Sequence, residues 1–145
     1  MYFLTVEHSM DAAHFLSGYN GKCSNIHGHR WRVIVNVMKE ELKKEGPERG
    51  MVFDFKELKD IIKKEVDFFD HSLIVEEGSL KKKTIDALLD EEFKIEFVKF
   101  RPTAEEFAKY FFDKIESNGY KVSKVQVYET PNNCATYTKG ENFGI

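Results

Sequence analysis

Two histidines open the most regular strand pattern in the chain. His27 and His29 are separated by one residue. The alternation then continues in a run of apolar residues at every second position, namely Trp31, Val33, Val35 and Val37. Side chains at every second position of a strand lie on one face, so the segment predicts a strand with a buried face. If the strand begins at His27, the Cα atoms of the two histidines lie about 6.6 Å apart, close enough for both imidazoles to bind one metal ion.

A site built on two histidines needs a third ligand from elsewhere in the sequence. His14 is the best candidate, because it lies at the end of a segment of apolar and small residues (10–15) that would pair with the strand after His29. As a single histidine it is equally compatible with an ordinary buried polar residue. Three imidazoles that leave one coordination position open are typical of catalytic zinc.

Cys23 lies four residues before His27 and decides what kind of site this is. As a fourth ligand, the thiolate would close the coordination shell, and the site would be structural. As a free thiol beside the metal, it would be a reactive group in a protein of a reducing compartment. The residues alone leave both alternatives open. Cys134 has no such context, and we expect it to be structural.

Asp70 and His71 form a second candidate for catalysis. They follow Phe68 and Phe69, so apolar surface and a neighbouring carboxylate would act on the same imidazole. Burial disfavours the charged ring and the carboxylate favours it, and opposing effects of this kind suit a proton-transfer group near neutral pH. The alternative is that Asp70 caps a turn and that His71 is exposed.

Glu129 is a carboxylate on the apolar face of a predicted strand, since it shares the parity of Val125 and Val127. A charge in that position costs free energy unless it has a partner. The guanidine-like edge of a bound heterocycle would satisfy both carboxylate oxygens, as in bidentate charge-assisted pairs. A salt bridge at a subunit contact is an equally good explanation. His8, by contrast, has no partner in the sequence, and we expect an ordinary polar residue there.

The remaining elements follow from hydrophobic periodicity and capping signals. Helices are predicted after Asp54, over 80–90 and after Thr103, the last of these with Gly119 as its C-terminal stop. Other strands are predicted from Tyr2, near 93–98, over 121–129 and over 135–138. Two strands, two main helices and two strands predict an α+β fold, in which an antiparallel sheet is covered by helices on one face.

Composition limits the class of protein. The chain has 145 residues, of which 41% are hydrophobic and 14% aromatic, so we expect one folded domain over 1–145. The net charge is −3 with acidic and basic residues interleaved, which predicts neither a nucleic-acid groove nor a membrane surface. No apolar stretch approaches a membrane span and no signal peptide precedes the first predicted strand, so we expect a cytoplasmic location.

Six short segments resemble, in their order and combination, the family of 6-pyruvoyl-tetrahydropterin and 6-carboxytetrahydropterin synthases. They span nearly the whole chain and are 11–14, Cys23-x-x-x-His27-Gly28-His29, 50–59, Asp70-His71, Pro102-Thr103-x-Glu105 and Glu129-Thr130. The resemblance implies a tunnelling fold of ββααββ units, whose sheets join into a trimeric barrel. Two such trimers commonly stack into a hexamer. We therefore expect a homo-oligomer, either a trimer or a dimer of trimers.

The same resemblance implies roles for individual residues. It implies one zinc ion per subunit on His14, His27 and His29, and a general base at Cys23. Asp70 and His71 would form a proton-relay pair. Glu129 would anchor the pterin ring, and in some members it joins the relay, while Thr103 and Glu105 would make further contacts with the substrate. In this assignment the thiol is not the fourth zinc ligand.

The spacing within the metal segment implies a branch of the family. The three residues between Cys23 and His27 resemble bacterial 6-carboxytetrahydropterin synthases of queuosine biosynthesis, whereas animal pyruvoyl enzymes tend to have a longer spacer. The implied reaction is that of a lyase, which converts 7,8-dihydroneopterin triphosphate to 6-carboxy-5,6,7,8-tetrahydropterin, acetaldehyde and triphosphate. The alternatives are 6-pyruvoyl-tetrahydropterin synthesis without side-chain cleavage, and a non-catalytic zinc-binding or pterin-binding module.

Two segments depart from the family pattern. Leu73 is followed by Ile74, where the family often has Asn. The connection over 76–100 is longer than in compact members. These departures concern the rim of the implied substrate site and leave the implied zinc ligands unchanged.

Overall fold

A computed structural model describes residues 1–140 as a curved six-stranded sheet with three α-helices. The elements in chain order are β1 (Tyr2–His14), β2 (His27–Lys39), α1 (Phe55–Asp67), β3 (Ser72–Glu76), α2 (Lys82–Asp90), β4 (Ile95–Val98), α3 (Ala104–Ser117), β5 (Val122–Thr130) and β6 (Asn133–Tyr137). The strands lie in the order β4-β3-β1-β2-β5-β6. The predicted α+β class is confirmed.

Strands β1 and β2 form the centre of the sheet and pair antiparallel along their whole length. The register runs from Tyr2 opposite Lys39 to His14 opposite His27. On β2, the residues that share the parity of the two histidines, from Trp31 to Val37, are completely buried. The predicted alternation is therefore confirmed, and it places the histidines on the core-facing side of the sheet, beyond the end of the apolar row.

The sheet is mixed, so the prediction of a purely antiparallel sheet is wrong in this detail. Strand β3 pairs parallel with β1, and β4 pairs parallel with β3. Parallel neighbours require a crossover connection, and the helical segment over 80–90 supplies it as α2. The ββααββ core is present, with β3, α2 and β4 inserted between its two main helices. Segment 93–98 was predicted as an edge or peripheral strand, and β4 is one of the two edge strands of the described sheet.

Helices α1 and α3 cover the core through apolar stripes with helical spacing. In α1 the buried residues are Leu58, Ile62 and Val66. In α3 they are Phe107, Ala108, Phe111, Phe112 and Ile115. Helix α1 contacts β1, and α3 contacts β5 and β6. Burying a side chain of this size contributes about 1.5–3 kcal/mol, so these stripes fix both helices against the sheet.

The helix ends agree with the capping signals in the sequence. The Thr103 hydroxyl accepts a hydrogen bond from the Glu106 N–H at 3.3 Å, and the Asp54 carboxylate accepts one from the Lys56 N–H at 2.8 Å. Gly119 follows α3 with a φ of 93°, a conformation that glycine adopts without steric cost. Within residues 1–140, no helix is long and apolar enough to cross a membrane.

Candidate metal centre and active-site cleft

Three histidines meet where β1 ends and β2 begins. Because His14 lies opposite His27 in the register, their side chains project from the same sheet face at neighbouring positions. The His14 Nε2 and His27 Nε2 atoms are 3.1 Å apart. With His29, they form a group whose potential ligand atoms all lie within 4.8 Å of one another. The sequence prediction that these three side chains come together is confirmed.

Backbone carbonyls orient two of the three rings. His14 Nδ1–H donates to the Pro102 carbonyl oxygen at 2.7 Å, and His27 Nδ1–H donates to the Asn25 carbonyl oxygen at 2.7 Å. A carbonyl oxygen only accepts, so the proton of each neutral ring is assigned to Nδ1 and its lone pair to Nε2. Burial lowers the pKa of His14 to about 4, although the Pro102 carbonyl opposes this, so the ring is neutral at pH 7. Metal-binding histidines are commonly oriented by such bonds.

Within residues 1–140, the nitrogen atoms that face one another have no hydrogen-bond partner outside the cluster. Two Nε2 lone pairs only 3.1 Å apart repel unless a cation or a proton lies between them. His29 Nε2 is buried and has no hydrogen-bond partner among the described residues. Burial also lowers the pKa of His29, while the nearby Glu129 carboxylate raises it. Three imidazoles whose ring nitrogen atoms converge in this way fit a divalent transition-metal ion, of which zinc is one.

A cleft of about 510 Å³ opens beside the histidine cluster. The residues that line it are Lys22, Cys23, His27, His29, Glu129, Thr130 and Asn133. Cys23 lies in a short 3-10 turn (Lys22–Ser24) and its thiol is free. Among the described residues, the group of potential metal ligands contains the three histidines and not this thiol, which favours the catalytic over the structural alternative.

Glu129 lines the same cleft, next to His29 and near the end of β5. Its Oε1 atom is 3.4 Å from His29 Nε2, and its side chain is about one quarter exposed. A partly exposed carboxylate at this depth accepts hydrogen bonds from a bound molecule without first losing an internal salt bridge to Lys or Arg. The structure thus brings together five of the predicted site residues: His14, His27, His29, Cys23 and Glu129.

Asp70 and His71 lie elsewhere. His71 Nδ1–H donates to Asp70 Oδ2 at 2.8 Å, but the His71 side chain is 78% exposed. The burial expected from Phe68 and Phe69 is therefore wrong for this chain, because Phe69 points into the core and Phe68 is itself exposed. His71 lines a neighbouring open cleft, which shares His29 with the metal cleft.

Thr103 and Glu105 do not line the metal cleft either. Thr103 caps α3, and Glu105 is exposed in its first turn. They are connected to the site through the preceding residue, Pro102, whose carbonyl oxygen accepts the hydrogen bond from His14. Lys22, Thr130 and Asn133 line the cleft, and the sequence analysis did not assign a role to them. Lys22 was detectable in principle, because it is the neighbour of Cys23.

Comparison with known proteins agrees with this geometry. Residues 3–140 match the family described as 6-pyruvoyl tetrahydropterin synthase. The chain belongs to this family. A relative from Haemophilus influenzae named 6-carboxy-5,6,7,8-tetrahydropterin synthase is 36% identical over 140 residues, covering 94% of this chain and 99% of the relative. A Synechocystis protein of the same name is 32% identical, covering 94% and 93%.

Solved structures show the same fold. An uncharacterized protein from Wolinella succinogenes aligns with a TM-score of 0.80 and 22% identity, covering 95% of this chain and 98% of the other. The 6-pyruvoyl tetrahydropterin synthase of Caenorhabditis elegans aligns with a TM-score of 0.63 and 27% identity, covering 95% and 96%. The tunnelling fold and the family implied by the six sequence segments are both confirmed.

Proposed function

We propose that the chain is a zinc-dependent 6-carboxy-5,6,7,8-tetrahydropterin synthase of queuosine biosynthesis. Its substrates would be 7,8-dihydroneopterin triphosphate and water, and its products 6-carboxy-5,6,7,8-tetrahydropterin, acetaldehyde and triphosphate. The observation that carries this proposal is the cleft itself, which combines a three-histidine cluster, a free thiol and a carboxylate. The names of the bacterial relatives support the same reaction.

His14, His27 and His29 would hold the zinc ion. When bound, zinc stabilises negative charge that develops on a substrate oxygen and so makes the adjacent C–H and O–H groups more acidic. Burial keeps the His14 ring neutral, and the carbonyls of Pro102 and Asn25 fix the orientation of the His14 and His27 rings. The ligand set therefore needs little rearrangement on binding.

Cys23 and Glu129 would act directly on the substrate. Glu129 accepts two N–H bonds from the guanidine-like edge of the pterin, which fixes the ring in the cleft. Cys23, which lines the cleft together with His27, removes a proton from the side chain of the substrate as thiolate. No redox cofactor is required, because the pterin ring gains the electrons that its side chain loses.

Asp70 and His71 would return protons from a second copy of the chain. Within one chain the pair lies outside the metal cleft and is open to solvent. We therefore propose a homo-oligomer, a trimer or a dimer of trimers, in which the pair of one copy completes the cleft of another. In the same assembly, Thr103 and Glu105 would form part of the substrate rim. Cytoplasmic location stays a prediction from the sequence.

The test is product analysis. Zinc-loaded protein is incubated with 7,8-dihydroneopterin triphosphate while acetaldehyde is trapped in the same vial, and the products are identified by mass spectrometry. We expect 6-carboxytetrahydropterin and trapped acetaldehyde in equal amounts. A pyruvoyl product without acetaldehyde would assign the alternative synthase reaction. Unchanged substrate in the presence of bound zinc would contradict an enzymatic function and favour a binding module.

A further inference from the structure

Arg101 connects the metal side of the site to the loop that carries Cys23. Its Nη2–H donates to the Ser17 carbonyl oxygen at 2.9 Å, across 84 positions of sequence. Its guanidinium carbon lies 5.7 Å from the centre of the Tyr19 ring, within the range of a cation–π contact. The next residue in the chain, Pro102, accepts the bond that orients His14. One backbone segment thus contacts both parts of the site.

In the loop between β1 and β2, the position of the Tyr19 ring constrains the position of Cys23. The Leu16 N–H donates to the Cys23 carbonyl oxygen at 2.9 Å, which closes the loop at its base. The Tyr19 ring lies so close to Gly21 that a Cβ atom there would be 2.8 Å from the ring. The ring therefore packs directly on the backbone two residues before the thiol. Displacement of the ring would displace the turn that holds Cys23.

Burying the Arg101 side chain in this position costs free energy of folding. Its Nε atom is buried and has no hydrogen-bond partner among the described residues, and no carboxylate within residues 1–140 forms an ion pair with it. A buried N–H without an acceptor destabilises the folded state. The side chain instead contacts Ser17 and Tyr19, which both lie in the loop that carries Cys23. Its contribution is therefore to the placement of that loop.

We propose that Arg101 is a positioning residue for the thiol of Cys23. By holding Ser17 and Tyr19, it fixes the loop relative to the chain segment that orients His14, and so fixes the sulfur relative to the metal cluster. The proposal rests on the proposed function in one respect, namely the role of Cys23 as the catalytic base. The positioning itself is measurable without turnover.

The experiment uses the metal-loaded protein and two substitutions, Arg101→Met and Arg101→Lys. Four properties are measured: metal per chain, kcat, KM for 7,8-dihydroneopterin triphosphate, and the rate at which iodoacetamide alkylates Cys23 relative to Cys134. For Arg101→Met we expect kcat to fall by about 10- to 100-fold, because a displacement of about 1 Å in a reacting group costs up to about 10² in rate. KM and metal content remain unchanged. The alkylation rate of Cys23 rises about threefold or more as the loop opens, while that of Cys134 is constant.

Arg101→Lys keeps a donor for the Ser17 carbonyl and is expected to recover part of kcat. Lys99→Met, which changes an exposed side chain two residues earlier, is the matched control and should behave as wild type. An unchanged kcat and an unchanged alkylation ratio in Arg101→Met would overturn the proposal. So would loss of the metal together with kcat, since that indicates a general defect of the fold.

Two outcomes separate this proposal from the proposed function. If wild-type protein shows no turnover, the proposed function fails, but the alkylation ratio still tests whether Arg101 positions the loop. If Arg101→Met does not fold, Tyr19→Leu removes the other half of the contact from an exposed position, and the same increase in Cys23 alkylation is expected. An unchanged ratio in Tyr19→Leu would then contradict the proposal.

Discussion

The histidine cluster and the Asp70–His71 pair are built in opposite ways. His14 is 1% exposed, and backbone carbonyls fix two of the three rings. His71 is 78% exposed, and its backbone φ of 56° lies in the left-handed region. The cluster is complete and preorganised within one chain, whereas the pair presents its ring to the outside. This contrast agrees with the proposed oligomeric site, in which one copy contains the metal half, formed by the histidine cluster, and offers its Asp70–His71 pair to the cleft of another copy.

The exposed pair is nevertheless held firmly at its base. Asp70 Oδ1 accepts a hydrogen bond from the Asp11 N–H at 2.8 Å, and the His71 N–H donates to the Asp11 carbonyl oxygen at 2.7 Å. Lys94 Nζ–H donates to the Asp70 carbonyl oxygen at 2.9 Å. The Asp11 N–H is the main reason that the pKa of Asp70 is lowered, so the carboxylate remains ionised. The pair therefore has a defined direction although it is not buried.

The largest expected effect is that of Cys23→Ala, which removes the proposed base from the metal half. General base catalysis contributes about 10²–10⁴ in rate, so we expect kcat to fall by about 10³-fold or more. Metal content, measured by mass spectrometry of the native protein, should remain that of wild type. The control is Cys134→Ala, an exposed thiol, which should leave both values unchanged. Loss of metal in Cys23→Ala would show that the thiol of the wild-type protein is a metal ligand.

His27→Ala tests the claim that the metal half is complete within one chain. The substitution removes one of three converging nitrogen atoms, so we expect at least about a 100-fold loss of metal affinity and a matching loss of activity. Competition with a fluorescent chelator measures the affinity. His71→Ala is the comparison and should bind the metal as wild type does. Equal losses in the two variants would remove the distinction between the halves.

A mixing experiment tests whether the two halves meet between copies. His71→Asn alone is expected to lower kcat by about 10²-fold, and asparagine tolerates the left-handed backbone. Subunits of Cys23→Ala and His71→Asn are unfolded together, refolded together and assayed. If the pair of one copy serves the cleft of another, some mixed sites contain both wild-type groups and activity returns. A mixture no more active than its separate components would show that each site uses groups from one chain.

The smallest effect is expected for Lys22→Met. Lys22 supplies the ammonium group among the described residues that line the metal cleft, and Glu129 supplies the carboxylate. A substrate with a guanidine-like ring edge and a triphosphate matches that charge pattern. We expect KM to rise about tenfold, equivalent to about 1.4 kcal/mol, with kcat nearly unchanged. Lys64→Met, on the exposed side of α1, is the control. An unchanged KM would show that the triphosphate does not bind next to Lys22.

The sequence predicted the metal half well because its signals are local. His27 and His29 belong to a period-two pattern, which determines the face of each side chain without knowledge of distant contacts. Glu129 was placed by the same rule on β5. The capping signals at Asp54 and Thr103 are similarly short-range, and both helices begin where these residues predict.

What the sequence did not predict depends on contacts between distant segments. Strand β3 is a short apolar run without alternation, and such a run does not reveal its parallel partners. The exposure of His71 follows from which of two adjacent phenylalanines enters the core, and that is a packing choice. His8 had no visible partner, yet its Nε2 lies 2.6 Å from Asp67 Oδ1 on α1. The contacts of Arg101 likewise join residues 84 positions apart.

The bond from His14 to the Pro102 carbonyl has a consequence for how much protein accumulates in a cell. It joins positions 88 residues apart, so the oriented ring exists only after β1 and the start of α3 have come together. An ion that binds this arrangement and not the unfolded chain stabilises the protein by mass action, by about 4 kcal/mol at 1,000 times its dissociation constant. Starvation for the metal would then shift the population toward unfolded chains, which proteases degrade. Under such starvation, the number of molecules would fall along with the activity of each one.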